Sequence, residues 1–276
     1  MARVHWEVFD MAGNIAWLPL VLGAFTTSVF AKPGAPSPTG VASGFSIEQV
    51  TLTGSQGDPV PGNLYLPEDA PNMWPKARHP ALLLQFGTDG DKDIDYIVEL
   101  AEGMVELGFV VLTIDMPGRG QRVGTSVEPE AYEDMVRWYM ADYEVATNFL
   151  TTLPVVDTKK LAYAGTSLGA ITGIPYCAAD TRIKACISIV GGGSAYSGLP
   201  ADIDPVQMVS QISPRATMLI NGLFDPVIPY YYAKNLHNAV QRPYEKVWYS
   251  SEHYLYGVDR GELCASIGDF ILRHAR

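Results

Sequence analysis

The chain is poor in basic residues, in cysteine and in histidine, and each shortage removes a class of function. Lys and Arg total 19 against 30 Asp and Glu, a formal net charge of −11 with histidine neutral. That field repels polyphosphates and no Lys/Arg cluster offsets it, so nucleic acid is set aside as a partner. The acidity reads as a solubility feature. The three cysteines, Cys177, Cys186 and Cys264, are odd in number and widely spaced, and no CxxC pair is present. Neither a disulfide framework nor a zinc site is therefore expected. The five histidines, His5, His79, His237, His253 and His274, form no HxH or HxxxH pair. No metal and no cofactor is expected, no internal repeat is visible, and no apolar run is long enough to make a stable membrane span.

What the chain does have is apolar content. Of its 276 residues 47% are hydrophobic and only 18% charged, the balance of a globular protein with a full core. Ile15 to Phe30 is almost continuously apolar and ends in Val29-Phe30-Ala31, which resembles a small-residue cleavage site. Glu7 and Asp10 beside Arg3 deny it the positive start of a signal peptide, and Pro19 interrupts it. We read residues 1–31 as a folded extension, since Trp6, Phe9, Trp17, Leu20 and Leu22 are too apolar to hang free in water. That reading makes the protein cytoplasmic; a cleaved signal peptide is the alternative and would make it secreted or periplasmic. The Pro/Gly/Ser stretch Lys32–Gly40 is a linker. Residues 1–44 are thus extension and linker, and 45–276 the main domain.

Within that domain strand-like and helix-like segments alternate. Phe45–Thr53 and Gly62–Leu66 read as a hairpin, and Ala81–Phe86 and Phe109–Ile114 as buried strands. Ile94–Leu107 has helical spacing and stops at Gly108, and Tyr132–Leu150 is a long amphipathic stretch. Leu161–Ala164, Ile183–Val190, Ala216–Ile220 and Tyr244–Tyr249 are further strands, and a helix closes the chain from Glu262 to Arg273. This order implies an α/β fold with a mostly parallel sheet covered on both faces.

Gly165-Thr-Ser-Leu-Gly169 lies between a strand and a segment that can be helical. GxSxG arises easily by chance, so the strand before and the helix after carry the weight. They are what a nucleophile elbow needs to present Ser167 at the carboxyl end of the sheet. A serine hydroxyl is a weak nucleophile and requires a histidine base oriented by a carboxylate. Strand Ala216–Ile220 runs into a turn ending at Asp225, and strand Tyr244–Tyr249 into a loop with His253. Singly, each is an ordinary turn or loop residue. In this chain order, each just past a strand end, they point to Ser167 as nucleophile, His253 as base and Asp225 as acid. Asp202 and Asp204 precede the relevant strand and are too early. A tetrahedral oxyanion also needs two backbone donors. Leu168 supplies one, and the loop Gln85-Phe-Gly-Thr88 the other; Thr88 is our choice, with Phe86 and Gly87 as alternatives.

From about Phe45 onward the chain resembles the α/β-hydrolase superfamily, and in detail its acyl-esterase branch near acetyl xylan esterases and dienelactone hydrolases. The residues that carry the likeness are Asp115-Met-Pro-Gly-Arg-Gly120, Gly165-Thr-Ser-Leu-Gly169, Gly222-Leu-Phe-Asp225 and Glu252-His253. The resemblance implies the same three catalytic residues. Two departures stand out. Gln85-Phe86-Gly87 replaces the His-Gly pair usual before the oxyanion loop, which leaves the second donor open. Dienelactone hydrolases proper use cysteine, so Ser167 argues against that activity.

The expected reaction is hydrolysis of a small-molecule carboxylic ester through an acyl-enzyme. A peptidase, thioesterase or lactonase would share every catalytic residue. A non-catalytic binding protein and a nucleotide-binding oxidoreductase are rivals of other classes. For the latter, Gly118-Arg-Gly120 and Gly191-Gly-Gly193 follow strands, but neither has the glycine spacing of a dinucleotide fingerprint. In the fold this resemblance implies, a cap usually enters after the strand Ile183–Val190. Gly191–Ser213 there has one candidate helix at Pro205–Gln211, so we expect a small cap or none and short acyl groups. The apolar N-terminal extension is the one element that could serve instead as a lid.

Overall fold

The structure, a computed structural model, describes residues 8–9, 15–16, 44–68, 78–124, 131–193 and 199–275. The chain divides into two units, residues 1–42 and 43–276. In the first, β1 (Val8–Phe9) pairs antiparallel with β2 (Ile15–Ala16). The rest of the extension and the Lys32–Gly40 linker lie outside the described residues.

The second unit begins with a hairpin, β3 (Phe45–Thr53) and β4 (Pro59–Pro67). Then come β5 (His79–Gln85), α1 (Asp95–Glu106), β6 (Val110–Ile114), α2 (Tyr132–Thr152) and β7 (Val156–Thr166). They are followed by α3 (Leu168–Ala179), β8 (Ile183–Ile189), the short α4 (Pro205–Met208) and β9 (Ala216–Gly222). α5 (Tyr230–Ala239), β10 (Tyr244–Tyr249) and α6 (Arg260–His274) close the chain. The eight strands of this unit order as β10-β9-β8-β7-β5-β6-β4-β3. All neighbours are parallel except β4, which runs against both β3 and β6.

Sequence explains the layering. β6 and β9 are buried along their whole length, which requires cover on both faces, and their apolar runs supply it with contacts. α1 packs against α6, and α2 against α3, forming the covering layers. Tyr143, Tyr163 and Tyr176 meet with ring centroids 5.3–5.7 Å apart where α2, β7 and α3 come together. Their hydroxyls are satisfied inside: Tyr163 donates to Gly169 O at 2.7 Å, and Tyr143 bonds Thr172 Oγ1 at 2.9 Å. This polar-capped aromatic cluster ties the first turn of α3 to the sheet.

The Asp115–Gly120 motif is an internal clamp. The Asp115 carboxylate, fully buried, accepts from the backbone N–H groups of Lys92 and Gln121 at 3.1 and 3.0 Å. Gly120, at φ 51°, closes so tightly on it that a Cβ would lie 2.3 Å from Oδ1. Arg122 donates to Asp115 O, Asp142 and Asp58 at 2.7–2.9 Å, joining this turn to α2 and to the β3–β4 hairpin. These glycines therefore serve a turn against a carboxylate.

Several element bounds differ from the sequence reading, three of them with a physical reason. β4 extends to Pro59 and Pro67 because β6 pairs only with Gly62–Tyr65; the flanking prolines need no second ladder partner. β7 begins at Val156, since its polar Lys159 and Lys160 precede the buried part. The helix expected at Pro205–Gln211 is one α-turn, Pro205–Met208, continued as a 3-10 turn, Val209–Ile212.

Candidate active site

Ser167 occupies the single residue between β7 and α3, with φ 49° and ψ −111°. A Cβ makes positive φ costly for any residue but glycine. Neighbouring backbone bonds hold the turn in place: Ser167 N–H to Ile189 O at 2.9 Å, Gly169 N–H to Phe86 O at 3.1 Å, and Ile171 N–H to Ser167 O at 2.9 Å. The two motif glycines permit this crossing. A Cβ on Gly165 would lie 2.3 Å from Gly169 O, and one on Gly169 would lie 2.7 Å from Phe86 O.

Strand register brings the partners to the same edge. Thr166 pairs with Ile189, Ile189 with Ile220, and Gly222 with Tyr249, so the loops carrying Ser167, Asp225 and His253 leave the sheet at one level. His253 Nε2 lies 3.0 Å from Ser167 Oγ, and Nδ1 lies 2.7 Å from Asp225 Oδ2. Asp225 Oδ1 accepts the Val227 and Ile228 N–H groups, each at 2.8 Å, which fixes the carboxylate plane. With Nδ1–H donating to the carboxylate, Nε2 is left free to accept the serine proton. All three residues are buried, at 8%, 5% and 7% exposure in chain order.

The other candidates fall elsewhere. Asp204 caps α4, accepting from Val206 and Gln207 N–H, and Asp202 pairs with Arg137 on the surface. His79 bonds Gly108 O and His237 bonds Asn221. Leu168 is the first residue of α3, so its N–H has no acceptor within the helix. Thr88 is exposed in the turn that follows β5. Gly87 is the residue that abuts the serine, since a Cβ there would lie 3.1 Å from Ser167 Cβ. Its N–H donates to Tyr96 Oη at 2.9 Å.

A cavity opens beside Ser167 and His253, walled by Tyr96, Leu100, Ile189, Val190, Tyr254 and Leu255. A larger depression of about 1100 Å³, lined by Arg137, Tyr176 and Arg182, includes none of the three residues. The described residues contain no group of three side chains able to hold a metal ion. No helix among them is long and apolar enough to cross a membrane. Sequence reasoning did not find the cavity wall. Tyr96 read only as part of a helix start, and nothing near it in the chain marks it as facing Ser167.

No family model matches the chain. Among curated proteins it is similar to the alpha/beta hydrolase psoB of Aspergillus fumigatus, 34% identical over 140 residues, covering 49% of this chain and 30% of that protein. The match spans less than a third of the length of such curated relatives. Among solved structures it is similar to the alpha/beta hydrolase GrgF of a Penicillium species, with TM-score 0.68, 18% identity, and coverage of 83% of this chain and 99% of that one. Acetyl xylan esterase 1 of a Thermoanaerobacterium species gives TM-score 0.65 at 18% identity, covering 85% of each chain.

Proposed function

From a chain that has the α/β-hydrolase fold, we propose a serine carboxylesterase acting on short-chain acyl esters. The single observation that carries the reading is the relay Ser167–His253–Asp225, with spacings of 3.0 and 2.7 Å in the order and at the strand ends that acyl transfer requires. The esterase among its structural neighbours supports the same reading.

In this mechanism His253 Nε2 takes the proton from Ser167 Oγ as the oxygen attacks the ester carbonyl carbon. Asp225 holds the imidazole in the tautomer that can accept, and stabilises the imidazolium once formed. The oxyanion is met by the Leu168 N–H and by a second donor from the Gly87–Thr88 side of the cavity. Collapse of the tetrahedral adduct expels the alcohol, which takes its proton from His253. Water, deprotonated by His253, then attacks the acyl-serine and releases the acid and the free serine. One ester and one water give one acid and one alcohol.

The test is labelling by a fluorophosphonate, with hydrolysis of p-nitrophenyl acetate measured alongside amide and thioester panels. Ser167→Ala is expected to abolish labelling and lower ester hydrolysis by roughly 10³-fold or more while leaving a folded chain. Wild-type rates in a pure Ser167→Ala preparation would end the proposal, and a preference for thioesters would redirect it to a thioesterase with the same residues.

A further inference from the structure

Tyr96 is the second residue of α1, and its ring is partly buried in the cavity wall. Its hydroxyl oxygen accepts the Gly87 N–H at 2.9 Å and its proton goes to Asp89 Oδ1 at 3.2 Å. A Cβ on Gly87 would lie 3.1 Å from Ser167 Cβ and 3.3 Å from Tyr96 Oη, so hydroxyl and nucleophile flank the same few cubic ångströms. The N–H of Gly87, a residue that abuts the serine, is thereby already occupied.

The other polar groups of the wall have partners as well. Tyr254 Oη donates to Asp89 Oδ2 at 2.9 Å, and Thr166 Oγ1 donates to Gln85 O at 3.2 Å. Arg260 is turned to Tyr254 O at 3.0 Å and to Glu99 at 3.4 Å. Tyr96 differs from these in that its oxygen also accepts a backbone N–H. Rotation about its Cζ–Oη bond carries the proton from Asp89 into the cavity without moving a heavy atom, while the Gly87 N–H keeps its acceptor. That N–H also polarises the phenol, making its O–H a better donor. Asp89 is exposed and retains Tyr254 and water as partners.

We propose that the Tyr96 hydroxyl is the second oxyanion donor, opposite the Leu168 N–H, relaying the Gly87 amide to the substrate oxygen. This rests on the serine-hydrolase reading above and assigns a catalytic residue within it. Burial pushes the Tyr96 pKa up to about 12, with the Gly87 N–H opposing and Asp89 adding to the rise, so the phenol is a neutral donor throughout the working range. It gives up no proton; it shares one with the developing negative charge and takes it back when the carbonyl re-forms.

The experiment compares wild type and Tyr96→Phe on p-nitrophenyl acetate and in the rate of fluorophosphonate labelling, where a phosphoryl oxygen fills the same place. Phenylalanine keeps the ring packing and removes only the donor. We expect kcat to fall by roughly 10²- to 10³-fold, with KM within about threefold, and the labelling rate to fall in parallel. A fluorinated tyrosine at position 96, which ionises at lower pH and keeps the fold, is expected to add a falling limb to the alkaline side of the kcat profile. Tyr96→Phe with kcat within about threefold of wild type, or a fluorotyrosine protein with no new limb, overturns the assignment while leaving the serine mechanism standing. A wild-type chain that never labels removes both.

Discussion

Mild acid is expected to destabilise this protein through a histidine that takes no part in the proposed chemistry. His237, on α5, is 2% exposed, and its ring lies 4.3 Å from that of Trp248. Its Nε2 is 2.8 Å from Asn221 Oδ1, and Asn221 Nδ2 donates to Gly191 O at 2.7 Å. That orientation of the amide puts the imidazole proton on Nε2 and leaves Nδ1 bare, buried and without a partner. A second proton would have to enter a buried site in which Nδ1 meets no acceptor. Burial, followed by the charges of Lys246 and Lys234, accordingly pushes the pKa down to about 3.

The sign follows from linkage. Above about pH 6.5 the histidine is neutral folded and unfolded, and contributes nothing to pH dependence. Below that value the unfolded chain binds a proton that the folded chain refuses, so stability falls by about 1.4 kcal/mol per pH unit until the folded pKa is reached. At about pH 4.5 the loss from this one residue is about 3 kcal/mol, equivalent to roughly 6–12 °C in Tm for a chain of this size. His237→Gln keeps a donor for Asn221 and cannot titrate. It is expected to be less stable than wild type near neutrality, because the Trp248 stack is lost, and to have the shallower curve below about pH 6.5. Urea denaturation at a series of pH values reads both. Parallel curves for the two proteins would refute the reasoning, because other titrating groups are common to both.

Asp225→Asn is expected to cost about 10³- to 10⁴-fold in kcat by stabilising the wrong His253 tautomer; a small loss there, with a large one from Asp204→Asn, would mean the acid is misassigned. Gly165→Ala drives a methyl into the Gly169 carbonyl, a backbone atom that cannot step aside. It is expected to destabilise the chain by at least about 3 kcal/mol, and an unchanged urea midpoint would refute the crossing described at the elbow. In a p-nitrophenyl ester series, kcat/KM is expected to peak at about two to four carbons and fall steeply beyond about eight. A CH₂ that extends past the cavity wall is not buried by it and does not gain its ~0.8 kcal/mol there. A peak at about ten carbons or longer would demand an acyl-binding wall supplied from elsewhere in the chain, still at ~0.8 kcal/mol per buried CH₂.

The parts of the site that were legible in the sequence are those built by adjacent residues. Ser167 with Gly165 and Gly169 is one contiguous turn, and Asp225 and His253 each follow a recognisable strand within a few residues. Their meeting at one edge required a parallel sheet, which the α/β alternation implied; the order of its strands is read from the structure. The cavity wall was not legible, because its members come from separate elements: Tyr96 from α1, Val190 from the end of β8, Leu255 from the loop after His253. Two of these carry a signal that no residue type announces. Val190 at φ 47° and Leu255 at φ 52° are, with Ser167, the non-glycine residues of positive φ among those described, and all three line the cavity. Such strain gathers where surrounding structure over-determines the backbone, here for Val190 by its N–H donating to Ile220 O at 2.7 Å.

The glycines that follow Val190 show how a sequence signal can be correct in kind and misplaced in meaning. Gly191-Gly-Gly193 after a buried strand resembles, in sequence, a fragment of a dinucleotide loop. In the structure a Cβ on Gly191 would lie 2.4 Å from Ser188 Oγ and 2.8 Å from Ala170 Cβ, against the first turn of α3. Gly191 O also receives the Asn221 side chain that His237 orients. The absence of a side chain there lets the strained turn after β8 press onto the helix that follows Ser167, with Val190 in the same cavity wall as the serine. A glycine run beyond a strand thus reports close backbone approach, and only the neighbours decide whether what approaches is a phosphate or the protein itself. Here it is the elbow, which makes Gly191→Ala a perturbation of Ser167 geometry from outside the motif that names it.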